Sequence, residues 1–304
     1  GGGVSKKKQQ AAEHTGERTP HSDLPEDSGE KPSARSEAAK SAAKNKDDKG
    51  PAKPSFRVFW DKYETLAEVQ AALRRNGLES SNLIIGIDYT KSNTWTGKET
   101  FGGQCLHAVV PGRLNPYQTV VSILGRTLEA FDDDNLIPAF GFGDIETGDH
   151  SAFPFYPDRR LCVGFEEVLK RYESITPGVC LSGPTNFAPL IREAIEIVRT
   201  TRKYHILVIV ADGQVTKRAD TEQAIIEAAS YPLSIITVGV GDGPWDTMHD
   251  FDDGLPSRQF DNFQFVEFHQ TMISNPKFPE AGFALAALQE IPEQFLVLQE
   301  LDLI

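Results

Sequence analysis

Cysteine is scarce in this chain: Cys105, Cys162 and Cys180 are the only three in 304 residues, and they share no paired spacing. That argues against a disulfide framework and a structural zinc site, and makes a reducing compartment the default. Uninterrupted apolar runs of about 18 residues are also missing, so no helix is expected to cross a membrane, and the polar N-terminus lacks the apolar core of a secretory signal. A cytosolic or nuclear chain is expected unless an anchor holds it. Residues 1–54 contain no aromatic side chain and almost no apolar pattern. Such a segment buries too little surface to offset its ordering entropy, and a disordered tail is predicted there. Clustered basic charge is lacking as well. The 31 Lys/Arg against 44 Asp/Glu give −13; residues 1–54 hold 11 and 9 of these, leaving 20 against 35 for residues 55–304. This acidity opposes binding to a phosphate backbone, so no nucleic-acid partner is expected.

What is present is a regular alternation. Order is predicted to begin near Phe56, with a first helix over 65–75, where Leu66, Val69 and Leu73 recur at helical spacing before Asn76-Gly77. Strands are predicted over 83–87, 104–108, 137–142, 205–211, 233–240 and 263–267. Helices are predicted over 117–131, 165–174, 187–200, 222–229, 245–251 and 280–290, the last ending near Pro292. This order gives an α/β fold, residues 55–304 forming a doubly wound, mostly parallel sheet with helices on both faces. The strand at 104–108, short and polar-flanked, is expected to be an antiparallel edge. The apolar tail 296–304 either packs on the domain or binds a partner.

The chemistry concentrates where strands end. Asp88-Tyr89-Thr90-Lys91-Ser92 follows the apolar run Leu83–Ile87 and places one carboxylate and two hydroxyls at alternate positions. Open α/β sheets bind ligands just past the C-terminal ends of their strands. Thr185, in Gly183-Pro184-Thr185-Asn186, and Asp212, after Ile206–Ala211, complete a set of two carboxylates and three hydroxyls. Oxygen donors suit a hard cation, and so few charged ligands leave room for a carboxylate from elsewhere. Asn93 is read as ordering the loop. Asp144 and Asp242 also follow strands; they read as solvated turn carboxylates, with a second ion as the alternative. Gly141-x-Gly143 and Gly239-x-Gly241-x-Gly243 do not complete a dinucleotide-binding fingerprint, and no phosphate-binding loop, nucleophile elbow or zinc-protease helix is present.

This pattern resembles the metal-ion-dependent adhesion site of von Willebrand factor A domains. The segments Asp88 to Asn93, Gly183 to Pro189 and Gly239-Val240-Gly241-Asp242-Gly243-Pro244-Trp245 resemble the copine branch of that superfamily, from about Phe56 to Pro292. Leu78 to Leu83 and Ala211 to Thr216 look more like the plant copine-like RING ubiquitin ligases. The resemblance implies a Rossmann-like von Willebrand factor A fold and Mg²⁺, Mn²⁺ or Ca²⁺ held by Asp88, Thr90, Ser92, Thr185 and Asp212. It also implies a protein partner presenting Asp or Glu, or a component of ubiquitin transfer. No cysteine follows Cys180, so the RING's paired zinc ligands are not in this sequence, and intrinsic ligase activity is not expected of it. A hydrolase using Asp88 and Asp212 is the enzyme alternative; it would need a base, and no histidine clusters in sequence with the ligands.

The N-terminus carries a second signal. Were a Met to precede Gly1, Met-Gly-Gly-Gly-Val-Ser5 would match the N-myristoylation acceptor pattern, with Lys6-Lys7-Lys8 directly after it. One acyl chain plus a basic cluster forms a reversible anchor for an anionic membrane surface on the cytoplasmic side.

Overall fold

The computed structural model describes residues 63–304 apart from Gln214 and Ser257. The expected tail, Gly1 and the lysine cluster lie outside the described residues. A six-stranded sheet forms the centre. Its strands are β1 (Asn82–Asp88), β3 (Ala139–Phe142), β4 (Ala152–Pro154), β6 (His205–Ala211), β7 (Leu233–Gly239) and β8 (Phe263–Glu267), in the order β4-β3-β1-β6-β7-β8. All neighbours pair in parallel except β3 with β4. A separate two-stranded antiparallel ribbon joins β2 (Leu136–Ile137) to β5 (Cys162–Val163). The fold is the α/β, doubly wound, mostly parallel arrangement anticipated from the sequence.

Strand residues alternate between two apolar layers, as the period of two requires. Leu83, Ile85 and Ile87 of β1, with Ile206, Val208 and Val210 of β6, face one layer. Over them lie α1 (Leu66–Arg75), α2 (Pro116–Leu128), α3 (Gly164–Ile175), α8 (Pro279–Leu288) and α9 (Ile291–Glu300). Ile84, Leu207 and Ile209 face the other layer, covered by α4 (Ala188–Thr201), α5 (Arg218–Ala228) and α6 (Asp246–Asp253). Beyond β8, α7 (Phe268–Ser274) completes the helices. From β1 the chain winds outward through β3 to β4; it then returns to β6 and winds the opposite way. Right-handed crossovers in opposite directions put helices on opposite faces and open a crevice between the C-terminal ends of β1 and β6. No helix among the described residues is long and apolar enough to cross a membrane.

Four sequence expectations are corrected. Residues 104–108 form no strand. His107 turns inward between two tyrosine rings, and Leu106 N–H bonds the Asn93 carbonyl, which commits this backbone to the loop. The antiparallel edge is instead β4, which contains a proline, a residue tolerated at edges because it cannot donate. The strand expected over 137–142 is broken by Pro138, whose carbonyl accepts from Ile85 N–H at 2.9 Å while Leu136–Ile137 joins the ribbon. The helix expected over 280–290 is α8, ending at Leu288 ahead of Pro292, but it is not the last: Pro292 occupies the first turn of a further helix, α9, where a missing N–H costs no hydrogen bond. In the apolar tail 296–304, Leu298 is buried and Val297 and Leu303 pack against the core, while Leu296, Leu301 and Ile304 stay exposed, so the tail packs on the domain along one face.

One carboxyl is held in an unfavourable state by this packing. Asp252 in α6 accepts the Phe265 N–H at 3.0 Å. Burial, and next the negative charge of Glu290, push its carboxyl up to about 7. An acid raised in this way supports folding while protonated; that support is complete below about pH 4 and is lost as pH rises through 7. Asp252→Asn is therefore expected to stabilise the protein by about 2 kcal/mol more at pH 8 than at pH 5, widening the gap in thermal midpoint by roughly 5 °C. A gap independent of pH in parallel melting curves would show that this carboxyl titrates as an exposed one.

Candidate metal centre

Asp88 is the last residue of β1 and is fully buried. Its Oδ1 accepts Thr90 N–H at 2.8 Å, turning the chain out of the sheet into a short 3-10 helix (Lys91–Thr94). That turn brings the Thr90 and Ser92 hydroxyls to 2.9 Å from each other. Asp212, immediately past β6, accepts from Ser92 Oγ at 2.9 Å and from Thr90 Oγ1 at 3.5 Å. Four of the five sequence-predicted ligands therefore form one connected group. Thr185 makes no hydrogen bond to the other four; it lines the same open cleft of about 340 Å³ as Thr90 and Ser92. It is carried there by the loop ahead of α4, which Lys91 N–H ties to the Ser182 carbonyl at 2.6 Å.

Two glycines make this closeness possible. Gly143 adopts φ +80°, and a Cβ there would meet Thr90 Cγ2 at 2.5 Å; Gly241, at φ +93°, would clash with the Thr96 carbonyl at 2.7 Å. The glycine patterns at these positions thus serve backbone approach around the site. Asp144 caps its own turn through Glu146 N–H, Thr147 N–H and the Thr147 hydroxyl. Asp242 accepts from Glu99 N–H at 3.0 Å and from Thr100 N–H at 2.9 Å, pinning the neighbouring loop. Asp144 is thus a turn carboxylate, as read, whereas Asp242 clamps a loop distant in sequence. Asn93 orders the loop as expected: it donates to the carbonyls of Thr90 and Asp88 and accepts from Tyr117 Oη at 2.6 Å.

Several residues that support the site were missed in the sequence. Thr96 Oγ1 donates to Asp212 Oδ2 at 2.6 Å. Thr216 clasps Thr185, its hydroxyl accepting Thr185 N–H at 2.8 Å and donating to the Thr185 carbonyl at 3.1 Å. Beneath the loop, His107 stacks between Tyr89 at 4.7 Å and Tyr117 at 4.1 Å. Its Nε2 lies 2.8 Å from the Asp88 carbonyl and its Nδ1 2.7 Å from Tyr172 Oη. Burial depresses its pKa to about 3, so the ring is neutral. A carbonyl can only accept, hence Nε2–H donates to Asp88 and Nδ1 accepts from Tyr172. A histidine thus does sit beside the ligands, but both of its nitrogens are engaged away from the cleft. No periodicity or motif marks any of these residues.

Two carboxyl groups are buried side by side here. Asp88 Oδ2 is buried and has no hydrogen-bond partner. Burial, followed by the charge of Asp212, holds the Asp88 carboxyl well above its ordinary range. Burial also raises Asp212, against the lowering effect of the Thr96 and Ser92 hydroxyls. Among the described residues no Lys, Arg or His side chain pairs with either group, and no cluster of three His, Cys, Asp or Glu forms a metal-ligating set. An unpaired buried carboxylate costs several kcal/mol, and a second beside it adds repulsion. The orphaned oxygen and the all-oxygen donor set both fit a hard divalent cation.

A doubly wound sheet with hydroxyl and carboxylate loops at the ends of its two central strands defines a von Willebrand factor A-type domain. The Copine family profile matches residues 105–304, and the chain belongs to the copine family. It is 52% identical over 259 residues to E3 ubiquitin-protein ligase RGLG1 of Arabidopsis thaliana, covering 80% of this chain and 53% of that protein. It is 53% identical over 245 residues to Copine family protein 2 of Caenorhabditis elegans, covering 80% of this chain and 3% of that protein. The chain thus spans about half the length of the plant relative. Among solved structures, the manganese-loaded TRAP protein of Plasmodium vivax superposes with a TM-score of 0.43 at 12% identity, over 67% of this chain and 74% of that one.

Proposed function

We propose that this chain is a metal-dependent protein-interaction module. In this reading Asp88, Thr90, Ser92, Thr185 and Asp212 hold Mg²⁺, Mn²⁺ or Ca²⁺, and an Asp or Glu of a partner protein completes the coordination. The observation that carries it is Asp88 Oδ2, buried and unpartnered next to a second buried carboxylate, below a cleft walled by hydroxyls. The bound cation would neutralise the two carboxylates and supply an electrophilic position for a third. The protein's part is to pre-position the donors: Thr96 orients Asp212, Thr216 holds Thr185, and His107 anchors the backbone of Asp88. Hydrolysis would require a base facing the cleft, and the neighbouring histidine is engaged elsewhere.

The test is a pull-down in MgCl₂ or MnCl₂ against EDTA, using wild type and Asp212→Ala. Partners are expected to be retained only with the cation and only by the wild type. In parallel, a cation at ten times its Kd should stabilise the wild type by about 1.4 kcal/mol, a gain the variant loses. Capture indifferent to both EDTA and Asp212→Ala would refute the reading.

The proposal extends to the N-terminal segment: myristoylation at Gly1, supported by Lys6, Lys7 and Lys8, would bring the module to the cytoplasmic face of an anionic membrane. Gly1→Ala is expected to abolish membrane association, whereas replacing the three lysines by glutamine only weakens it. Unaltered fractionation of the Gly1→Ala protein would rule out lipid anchoring.

A second reading, a substrate- or ligase-recruiting component of ubiquitin transfer, is favoured by the relatives named E3 ubiquitin-protein ligases at 52–53% identity. An in vitro ubiquitination assay discriminates the two. Ubiquitin transfer by the isolated chain without an added ligase would replace the adaptor reading.

A further inference from the structure

Aromatic side chains in the described residues are buried or half-buried, with a single exception. Trp95 is 59% exposed and lines the cleft together with Thr90, Ser92 and Thr185. No ring or cation among the described residues packs on it, so the fold itself does not account for an indole there. Pro184 and Pro244 line the same cleft, adding rigid apolar surface close to the Thr90, Ser92 and Thr185 hydroxyls. Charge points the same way. Residues 55–304 carry 35 acidic side chains against 20 basic, yet no acidic side chain lines this cleft, and its one charged lining residue is Lys91. Lys91 is exposed and makes no ion pair among the described residues; Arg75, Lys98, Arg113 and Lys277 are likewise unpaired, and what sets Lys91 apart is its place in the cleft lining.

We propose that the captured carboxylate belongs to an extended peptide segment of acidic and aromatic character. Its central Asp or Glu enters the cleft, a flanking aromatic ring stacks on Trp95 between the two prolines, and a second acidic residue pairs with Lys91. This inference rests on the metal-dependent reading of the site and adds what the partner must look like. An exposed tryptophan beside a desolvated polar centre has the composition of a binding hot spot: the ring supplies contact area and shields the neighbouring charged contact from water. Lys91 sets orientation and accelerates encounter with an acidic segment, and screens out basic ones. Lys91 thus makes the cleft the point at which an acidic segment meets least repulsion from this acidic domain.

The experiment selects heptapeptides with a fixed central Asp and randomised flanks on the immobilised full chain, in millimolar MnCl₂, with elution by EDTA. Selected peptides are expected to be enriched in an aromatic residue close to the Asp and in a second acidic residue. Trp95→Ala should erase the aromatic preference and weaken a selected peptide about tenfold. Trp95→Phe should largely restore it, Lys91→Gln should erase only the acidic preference, and all three variants should keep the Mn²⁺-induced rise in thermal midpoint. EDTA-sensitive binding without aromatic enrichment, or with enrichment that survives Trp95→Ala, would overturn this inference and leave the metal-dependent reading standing. If no Asp-centred peptide binds in an EDTA-sensitive way, the metal-dependent reading itself fails, and this inference with it.

Discussion

Asp88→Asn is expected to raise the stability of the metal-free protein and to abolish its response to divalent cations. The carboxylate of Asp88 is fully buried, receives one backbone N–H, leaves Oδ2 unpartnered and lies against a second acid. Without a cation it is a liability, since an unsatisfied buried polar atom alone costs about 1–3 kcal/mol and a charge costs more. Asparagine keeps the Oδ1 acceptor for Thr90 N–H, removes the charge and can donate to Asp212. In EDTA the variant should therefore melt several degrees above wild type, at about 2–4 °C per kcal/mol for a domain of this size. In millimolar Mn²⁺ the order should reverse, because only the wild type gains binding energy. Melting curves with and without the ion decide the matter. A variant less stable than wild type in EDTA would mean that the carboxylate already has a stabilising partner, and the cation reading would lose its support.

The second large effect is expected at His107. A continuous chain of donors runs from Asn115 Nδ2 to Tyr172 Oη at 3.1 Å, on to His107 Nδ1 at 2.7 Å, and from His107 Nε2 to the Asp88 carbonyl at 2.8 Å. Asn115 also caps α2 by accepting Gln118 N–H at 2.9 Å, so the loop after β1 is fastened to a helix start through three side chains. His107→Ala deletes a ring held between two tyrosines, opens a cavity and strands both the Tyr172 hydroxyl and the Asp88 carbonyl. The combined loss should be about 3–5 kcal/mol, or roughly 10 °C in thermal midpoint. His107→Phe preserves the stack but neither hydrogen bond, and should lose about 1–3 kcal/mol. Because the backbone of Asp88 is released in both variants, the Mn²⁺-induced stabilisation should shrink alongside. A phenylalanine variant with undiminished stability and Mn²⁺ response would show that the histidine contributes packing alone.

Local pattern made much of this protein legible. The runs at 83–87, 205–211, 233–240 and 263–267 read as buried strands because β-branched and apolar residues pack continuously against helices on both faces, and all four lie in the sheet. Placing Asp88 and Asp212 at the C-terminal ends of such strands was enough to put them in one crevice, since parallel strands in a doubly wound sheet end on the same side. Where the pattern misled, another contact had prior claim on the residues. The helix read as the last ends before Pro292, but Pro292 also opens the unforeseen α9; 104–108 reads as a strand and is a loop, its backbone and the His107 ring engaged by Asn93, Asp88 and Tyr172.

The sequence by itself determined the fold class, the two carboxylates and the hydroxyls around them, because each depends on spacing within a dozen residues and on strand polarity. Tertiary structure alone decided which side chains hold that set in place. Ser92 meets Asp212 across 120 positions, Thr96 meets it across 116, and His107 reaches Tyr172 across 65. It also decided that Trp95 is exposed while every other described Phe, Tyr and Trp is buried or half-buried. Hydrogen bonds and exposure of that kind depend on which distant segments the packed sheet brings within 3 Å of each other, and no periodicity of two or 3.6 residues carries that information.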